Sequence, residues 1–170
     1  MEKSLPLKKR VLLLSALFFV LAPFSTLIPC LKLGVPKLYP EILSLSMSTL
    51  PFFAYVLALV AYEYVKGDKR RGKVLLLEAI LLNVLVLVFK YLFNRPRPLP
   101  AATPGYPSGH SARAAWLALK VWKRNRTIGV LVWLYAIAVM WSRVELCKHY
   151  PLDVVGGVLL AIIVDEVLRG

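Results

Sequence analysis

The chain has 170 residues, of which 59% are hydrophobic, and its formal net charge is +13. Soluble domains carry roughly 45–50% apolar residues, so the composition excludes an ordinary soluble globular domain and predicts a membrane protein. In a soluble chain this charge would suggest nucleic-acid binding. Here the basic residues gather at the ends of apolar runs, where membrane topology explains them. No nucleic-acid partner is therefore expected.

Six apolar runs are candidates for helices that cross a bilayer, which takes roughly 17 to 25 residues. We predict an all-α fold, a bundle of six transmembrane helices at Val11–Ile28, Ile42–Tyr64, Lys73–Phe93, Ser108–Lys123, Thr127–Leu146 and Leu152–Leu168. No linker, low-complexity tract or repeat interrupts the chain, so residues 1–170 are expected to form a single integral-membrane domain. The first run lacks a small-x-small cleavage site and is predicted to be a retained helix. The fourth is the weakest on hydropathy, since it is short and begins with polar residues.

Clusters of lysine and arginine mark alternate helix ends, as the positive-inside rule requires if both termini are cytoplasmic. The clusters lie within residues 3–10, 66–73 and 120–126. The opposite helix ends carry three short polar segments. This topology places the three segments together on the extracytoplasmic side.

The two cysteines, Cys30 and Cys147, fall on the extracytoplasmic side by the same topology. A disulfide between them is conceivable, but the prediction favours two unpaired buried thiols. Neither cysteine has a metal-ligand spacing, and no carboxylate cluster suits magnesium. No metal and no cofactor are therefore expected.

The chain has two histidines, and each lies in a polar segment between apolar runs. The three polar segments are residues 90–98, 107–110 and 142–153. Cations near lipid are costly and need an anion, yet the acids available on this side are too few: Glu41, Glu145 and Asp153. A phosphate-bearing ligand would neutralise the excess, because guanidinium groups bind phosphate oxygens in pairs and lysine adds a point charge.

Each polar segment also has a structural explanation when it is taken alone. Lys90 could extend its ammonium group to the membrane interface, Ser108 could be an ordinary helix cap, and Asp153 could complement a helix dipole. Their joint occurrence on one face favours a functional site. If Pro151 occupies the first turn of the last helix, Asp153 can turn back toward the ring of His149 and orient it.

Three motifs carry a resemblance to a known family: Lys-x6-Arg-Pro from Lys90, Pro-Ser-Gly-His ending at His110, and Ser-Arg-x5-His-x3-Asp ending at Asp153. Their order and spacing resemble the tripartite signature of the type 2 phosphatidic acid phosphatase superfamily. All three match without a substitution. The resemblance covers residues 90–153 by motif and the whole chain by helix count.

The resemblance implies a metal-independent phosphoryl transfer. His149 would attack phosphorus and form a phosphohistidine, while Asp153 orients it. His110 would protonate the leaving oxygen and then activate water. The equatorial phosphate oxygens would be held by Lys90, Arg97, Ser108, Gly109 and Arg143.

The expected activity is that of a multi-pass cell-membrane phosphatase acting on a lipid phosphate or diphosphate that enters from the outer leaflet. Candidate substrates are a polyprenyl diphosphate, phosphatidylglycerophosphate and phosphatidic acid, and the sequence does not separate them. A lipid phosphotransferase using the same site is an alternative, and an anion-binding transporter is one from a different class. Vanadium haloperoxidases have a similar pocket, but they are soluble, and the six apolar runs argue against them.

Five further polar residues are predicted to lie outside the phosphate-binding site. Glu78 and Asn83, in the third helix, are predicted to make polar contacts between helices. Arg95, Arg113 and Lys148 lie close to the motifs. They could touch a second phosphate or the lipid headgroup, but solvated charges are favoured. The oligomeric state is not predicted.

Overall fold

Seven α-helices account for the regular structure of residues 5–30 and 32–168, the part of the chain that the structure, a computed structural model, describes. They are α1 (Leu7–Phe24), α2 (Leu38–Ser46), α3 (Thr49–Val65), α4 (Lys69–Phe93), α5 (Gly109–Arg124), α6 (Arg126–Glu145) and α7 (Pro151–Val167). No strand occurs among these residues, and the predicted all-α fold is confirmed. Both ends of α5, α6 and α7 lie within one residue of their predicted positions.

The predicted single helix at residues 42–64 is wrong, because α2 and α3 are two helices that meet at a bend of 47°. The backbone leaves the helical conformation at Met47 and is extended at Ser48, which precedes α3 (φ −66°, ψ 174°). The hydroxyl of Ser46 bonds back to a carbonyl oxygen of its own helix at 2.8 Å and lies 2.6 Å from the hydroxyl of Tyr135. Side-chain bonds of this kind compete with helical ones. Hydropathy does not register them, since the flanking residues are apolar.

The first and third predicted helices are displaced at their charged ends. α1 covers Leu7–Phe24 instead of residues 11–28, and α4 begins at Lys69 instead of residue 73. Helical structure continues into basic residues that hydropathy assigns to the interface. Asp68 stabilises the start of α4 because its carboxylate accepts a backbone N–H of the first turn at 2.9 Å.

The helix that looked weakest by hydropathy, α5, lies at the centre of the bundle and packs against α6 and α7. Its neighbours are other helices instead of lipid, so it needs small side chains more than large apolar ones. At Gly157 of α7, an added Cβ would lie only 3.0 Å from the backbone nitrogen of Ala112. The fully buried alanines of α5 are Ala112, Ala114, Ala115 and Ala118.

Two of the described helices, α4 and α6, are long and apolar enough to cross a membrane. A third span results if the bent pair of α2 and α3 is counted as one. Large apolar side chains such as Leu12, Val65 and Leu131 are exposed on the outside of the bundle. Such a surface is better suited to contact with lipid than with water. By length and hydropathy the described helices thus give two or three spans, and the six predicted spans stay a prediction.

A buried ionic network occupies the end of the bundle opposite the three motifs. Lys120 pairs with Glu78 of α4 and, at 2.7 Å, with Asp165 of α7. Arg124 pairs with Glu63 of α3 at 2.5 Å. Basic residues that were assigned to membrane topology therefore also connect α5 to three neighbouring helices.

The two polar residues predicted to make interhelical contacts do so. Glu78 accepts a hydrogen bond from the indole nitrogen of Trp116 at 2.9 Å. The side-chain oxygen of Asn83 accepts one from Nε of Arg113 at 2.8 Å. Both bonds join α4 to α5.

Cys30 and Cys147 form a disulfide across 117 residues of sequence, so the prediction of two unpaired thiols is wrong. Topology placed both cysteines at one end of the bundle but could not supply the distance between them. Their Cα atoms are 5.4 Å apart, well within the range of a disulfide. Nearby, the backbone nitrogen of Leu33 donates to the carboxylate of Glu145 at 2.7 Å. The segment after α1 is thereby attached to the end of α6.

Reduction of the disulfide is expected to lower the melting temperature of the detergent-solubilised protein by roughly 5–15 °C, because the bond closes a long loop in the unfolded chain. The measurement is thermal unfolding with and without reductant. A double variant, Cys30→Ser with Cys147→Ser, is the control and should melt at the reduced temperature in both conditions. Two freely titrating thiols in the unreduced, folded protein would contradict the bond.

Candidate active site

A cavity of about 370 Å³ lies at the end of the bundle where α4 ends and α5 begins, and it brings the three motifs together. It is lined by Ser48, Thr49, Asn83, Val86, Leu87, Lys90, Arg97, Thr103, Gly109, His110, Arg113, Arg143 and His149. Six of the eight residues predicted for the site are in this lining. The remaining two, Ser108 and Asp153, lie behind it.

His149 and Asp153 form the pair that the spacing predicted. Pro151 is the first residue of α7, and the carboxylate of Asp153 turns back so that Oδ2 lies 3.3 Å from Nδ1 of His149. The same oxygen accepts the backbone N–H of Tyr150 at 3.0 Å. With Nδ1 directed at a carboxylate, Nε2 is the ring nitrogen available to the cavity. The ring is only 1% exposed and Asp153 is fully buried.

Two cations of the first motif are held by the loop between α4 and α5. The ammonium group of Lys90 donates to the carbonyl oxygens of Pro104 (2.7 Å) and Gly105 (3.1 Å). Arg97 donates from Nε and Nη2 to the carbonyl and hydroxyl oxygens of Thr103, both at 2.7 Å. Asn94 ends α4 in the left-handed conformation, so the chain turns there and Arg97 comes back over the cavity. The loop therefore orients both cations without neutralising them.

Arg143 comes to the cavity from the last turn of α6 and is 4% exposed. Its Nη1 donates to the hydroxyl of Ser44 in α2. Its carbonyl oxygen accepts the backbone N–H groups of Lys148 (3.0 Å) and His149 (3.2 Å). These bonds fold the turn after α6 so that the guanidinium group and the imidazole of one motif face the same cavity.

The start of α5 supplies Gly109 and His110 to the cavity. Ser108 is the N-cap of α5, and its hydroxyl oxygen accepts bonds from the backbone and hydroxyl of Ser111. Its backbone N–H donates to the carbonyl oxygen of Asp153 at 2.9 Å. Ser108 thus lies fully buried behind the cavity, and its part in holding phosphate stays a prediction.

Positive charge dominates the cavity. Among the residues that the structure describes, no carboxylate lines it. The cations in its lining are Lys90, Arg97, Arg113 and Arg143. Burial lowers the pKa of His149 well below its usual range, and the positive charges of Lys90 and Arg97 lower it further. His149 is therefore neutral near pH 7 and keeps the lone pair that a nucleophile needs.

The three basic residues assigned to solvent behave differently from one another. Arg95 donates to the carbonyl oxygen of Pro23 (2.8 Å) and to the hydroxyl of Thr26 (3.2 Å), away from the cavity. Arg113 is half-buried and lines the cavity. The preference for solvated charge is wrong for both, because polar groups that are distant in sequence come within reach of them. Lys148 is exposed, as expected.

Several residues that support the site lie outside the motifs. Ser48 and Thr49 line the cavity from the break between α2 and α3, Thr103 holds Arg97, and Ser44 holds Arg143. These are single hydroxyl residues in segments with no distinctive spacing. No sequence pattern could have found them, because their partners are up to 99 residues away.

Gly105 allows the loop after α4 to approach α7 closely. A Cβ on this residue would lie 2.9 Å from the carbonyl oxygen of Pro96 and 3.1 Å from Oδ2 of Asp153. A side chain there would press against the carboxylate that orients His149. The carbonyl oxygen of the same glycine holds Lys90, so one small residue serves two parts of the site.

The fold and the cavity together define a helical membrane protein with a cationic, histidine-lined site at one end of its bundle. A family model described as the PAP2 superfamily matches residues 72–168, more than half of the chain. The chain belongs to the PAP2 superfamily. The resemblance inferred from the three motifs is confirmed.

Two relatives carry names that describe phosphatases. The undecaprenyl-diphosphatase BcrC of Bacillus subtilis is 30% identical over 125 residues, which cover 65% of this chain and 64% of that protein. The lipid A 1-phosphatase of Porphyromonas gingivalis is 32% identical over 117 residues, which cover 65% of this chain and 26% of that protein. The chain thus spans just under two thirds of the first relative and about a quarter of the second.

Two solved structures share the fold. A transmembrane PAP2-type phosphatidylglycerolphosphate phosphatase from Bacillus subtilis superposes with a TM-score of 0.78 at 20% identity and covers 94% of each chain. LpxE of Aquifex aeolicus superposes with a TM-score of 0.65 at 24% identity, covering 90% of this chain and 92% of that one. At these identities the agreement establishes the helical architecture.

Proposed function

We propose that the protein is a membrane phosphatase that hydrolyses a lipid phosphate or diphosphate through a phosphohistidine intermediate. One observation carries the proposal: a histidine, backed by a buried aspartate, lies in a cavity with four cations. Phosphoryl transfer depends mainly on positioning and on charge neutralisation. The names of the two relatives, an undecaprenyl-diphosphatase and a lipid A 1-phosphatase, support the reaction class.

In the first step, Nε2 of His149 attacks phosphorus and a P–N bond forms while the bond to the leaving oxygen breaks. Nδ1 of His149 lies 3.3 Å from Oδ2 of Asp153. With the ring proton on Nδ1, the imidazole donates to this oxygen, and the carboxylate stabilises the positive charge that develops on the ring. Lys90, Arg97 and Arg143 bind the phosphoryl oxygens, with the backbone N–H groups at the start of α5.

His110 handles the protons on the other side of the phosphoryl group. It gives a proton to the departing oxygen, which leaves on the lipid product. It then takes a proton from water, and the water attacks phosphorus, breaks the P–N bond and releases inorganic phosphate. His149 returns to its neutral form.

The proposed mechanism uses no metal. Among the described residues, no group of three or more histidine, cysteine, aspartate and glutamate side chains could hold one. The cations of the cavity supply the positive charge that a metal would otherwise bring to the phosphoryl oxygens. A resident cofactor is likewise not part of the proposal.

The proposed topology has six spans in one domain over residues 1–170, with α2 and α3 forming one bent span. Both termini are cytoplasmic, and the site faces outward from the cell membrane. The basic clusters at the end of the bundle opposite the site support this orientation. The disulfide between Cys30 and Cys147 supports it independently, since such bonds persist in oxidising compartments.

A lipid substrate is proposed to enter from the side, with its tail remaining in the outer leaflet. The cavity wall includes the apolar side chains of Val86 and Leu87 beside the polar Ser48 and Thr49. Leu87 is exposed on the surface of α4. Apolar and polar lining thus meet where a lipid headgroup would join its tail.

The test is phosphate release by purified protein from a panel of lipid phosphates and diphosphates in excess chelator. We expect turnover that EDTA does not reduce, since the cationic side chains carry the electrostatic stabilisation. Activity lost in EDTA and restored by a divalent metal would contradict the metal-free mechanism. A phosphorylated acceptor without free phosphate would indicate the phosphotransferase, and phosphate flux into liposomes without hydrolysis would indicate the transporter.

A further inference from the structure

Arg113 is a cation of the cavity that the proposed mechanism does not use. It lies on α5 one turn after His110 and lines the same cavity. Its Nε donates to the side-chain oxygen of Asn83 at 2.8 Å, and its Nη1 lies 3.4 Å from the carbonyl oxygen of Met47. The guanidinium carbon is 5.9 Å from the centre of the Phe52 ring. Three elements therefore hold this guanidinium group in place.

The contacts leave Arg113 able to bind an anion. Nη2 makes no hydrogen bond to the residues that the structure describes, and none of its contacts is a carboxylate. Asn83 orients the group through a neutral amide, so the positive charge is not cancelled. A half-buried arginine without an acidic partner is costly unless a ligand supplies the negative charge.

The charge balance of the cavity points to more than one phosphate group. Lys90, Arg97 and Arg143 already provide a cation for each of the non-bridging oxygens of a single phosphoryl group. A phosphate monoester carries about −1.5 to −2 charges near pH 7, fewer than the four cations that line the cavity among the described residues. A second phosphate adds the further negative charge that Arg113 would balance.

The position of Arg113 indicates which phosphate it would meet. His110 is proposed to protonate the leaving oxygen, so the group beyond that oxygen is the one attached to the lipid. Nη2 of Arg113 lies 3.9 Å from the position that a Cβ on Gly109 would take, so the guanidinium group reaches back to the first turn of α5, where His110 lies. In a simple lipid monophosphate, the apolar tail would begin beside this guanidinium group. In a lipid diphosphate, the second phosphate would lie there.

We propose that Arg113, held by Asn83, binds the lipid-attached phosphate of a diphosphate substrate, so that the enzyme is specific for lipid diphosphates. This inference rests on the proposed phosphatase function. The bond between the terminal phosphorus and the bridging oxygen breaks, and its electron pair stays on the lipid phosphate. That oxygen takes a proton from His110, and Arg113 stabilises the negative charge of the departing lipid monophosphate. Water then releases the terminal phosphate from His149.

The experiment compares kcat/KM for a prenyl diphosphate and for the monophosphate of the same prenyl chain, in wild type and in Arg113→Gln. The expected loss is roughly 10- to 100-fold on the diphosphate and less than about threefold on the monophosphate, the size of one lost charge-assisted contact. Arg113→Lys should retain more of the diphosphate activity than Arg113→Gln, because the lysine ammonium group supplies a point charge. Arg95→Gln is the matched control, because Arg95 binds Pro23 and Thr26 outside the cavity.

Each outcome supports the inference or overturns it. An equal loss on both substrates, or no loss on the diphosphate, overturns the role of Arg113. Wild-type protein that hydrolyses the monophosphate but not the diphosphate overturns the inference while the phosphatase function stands. Failure to hydrolyse any lipid phosphate removes the proposed function and the inference with it.

A second measurement keeps the inference testable if neither Arg113 variant folds. Methylene diphosphonate and inorganic phosphate are compared as competitive inhibitors of the wild-type protein. The diphosphonate should bind at least about tenfold more tightly, since it reaches one further charged contact. Equal inhibition by the two anions overturns the second phosphate site.

Discussion

Replacement of His149 with alanine is expected to lower phosphate release by at least about 10⁴-fold, because the proposed nucleophile is removed. The measurement is kcat on a lipid phosphate or diphosphate that the wild type hydrolyses. Lys148→Ala is the matched control, since it changes the adjacent residue in the same turn. Lys148 is exposed, and its hydrogen bonds to site residues come from its backbone, which alanine keeps: the carbonyl oxygen accepts from Arg97 and the N–H group donates to Arg143. We expect its activity to stay within about threefold of wild type, as for most surface substitutions.

Retention of more than a few per cent of wild-type kcat in a folded His149→Ala protein would contradict the covalent mechanism. Direct attack by water, activated by His110, would then be the better explanation. The melting temperature of the variant, measured beside the wild type, separates loss of chemistry from loss of fold. The buried ring contacts Asp153, so a moderate decrease in stability is expected without loss of the helical structure.

Replacement of Asp153 with asparagine is expected to lower kcat by roughly 10²- to 10⁴-fold with little change in KM. Asparagine keeps the size of the side chain but removes the negative charge that stabilises the imidazolium formed by attack. It also offers an N–H group where Nδ1 of His149 needs an acceptor, which favours the wrong tautomer. Asp153 does not line the cavity, so substrate binding should survive.

The control for this variant is Asp165→Asn, on the same helix at the opposite end. Asp165 is also fully buried, and it pairs with Lys120 at 2.7 Å. Removing its charge should lower the melting temperature and leave kcat close to the wild-type value. If Asp153→Asn instead keeps the wild-type kcat, Asp153 serves only to cap α7 through the N–H of Tyr150.

The local parts of this site can be predicted from sequence because their determinants are near one another along the chain. Pro151 and the four-residue spacing from His149 to Asp153 specify a helix start whose third residue faces back to the ring. Ser108 and Gly109 specify the start of α5 in the same way. The positive-inside rule then predicts that the three motifs lie at one end of the bundle, and this prediction needs no knowledge of contacts.

The parts that could not be predicted depend on distances between segments. The partner of Arg143, Ser44, is 99 residues away. Cys30 and Cys147 meet over 117 residues. Hydropathy averages over a window, so it registers neither the break at Met47 and Ser48 nor the bundle centre occupied by α5. The break helps to form the cavity, because Ser48 lines it and the carbonyl oxygen of Met47 faces Arg113.

The most direct test of the central claim, covalent transfer to His149, is rapid quenching of wild-type protein with a lipid substrate labelled at the terminal phosphate, in excess chelator, followed by peptide mapping. We predict an acid-labile, base-stable phosphate on the peptide that contains His149 and none on the peptide that contains His110. Sustained phosphate release with no label on any peptide, or with the label on His110, would contradict the account.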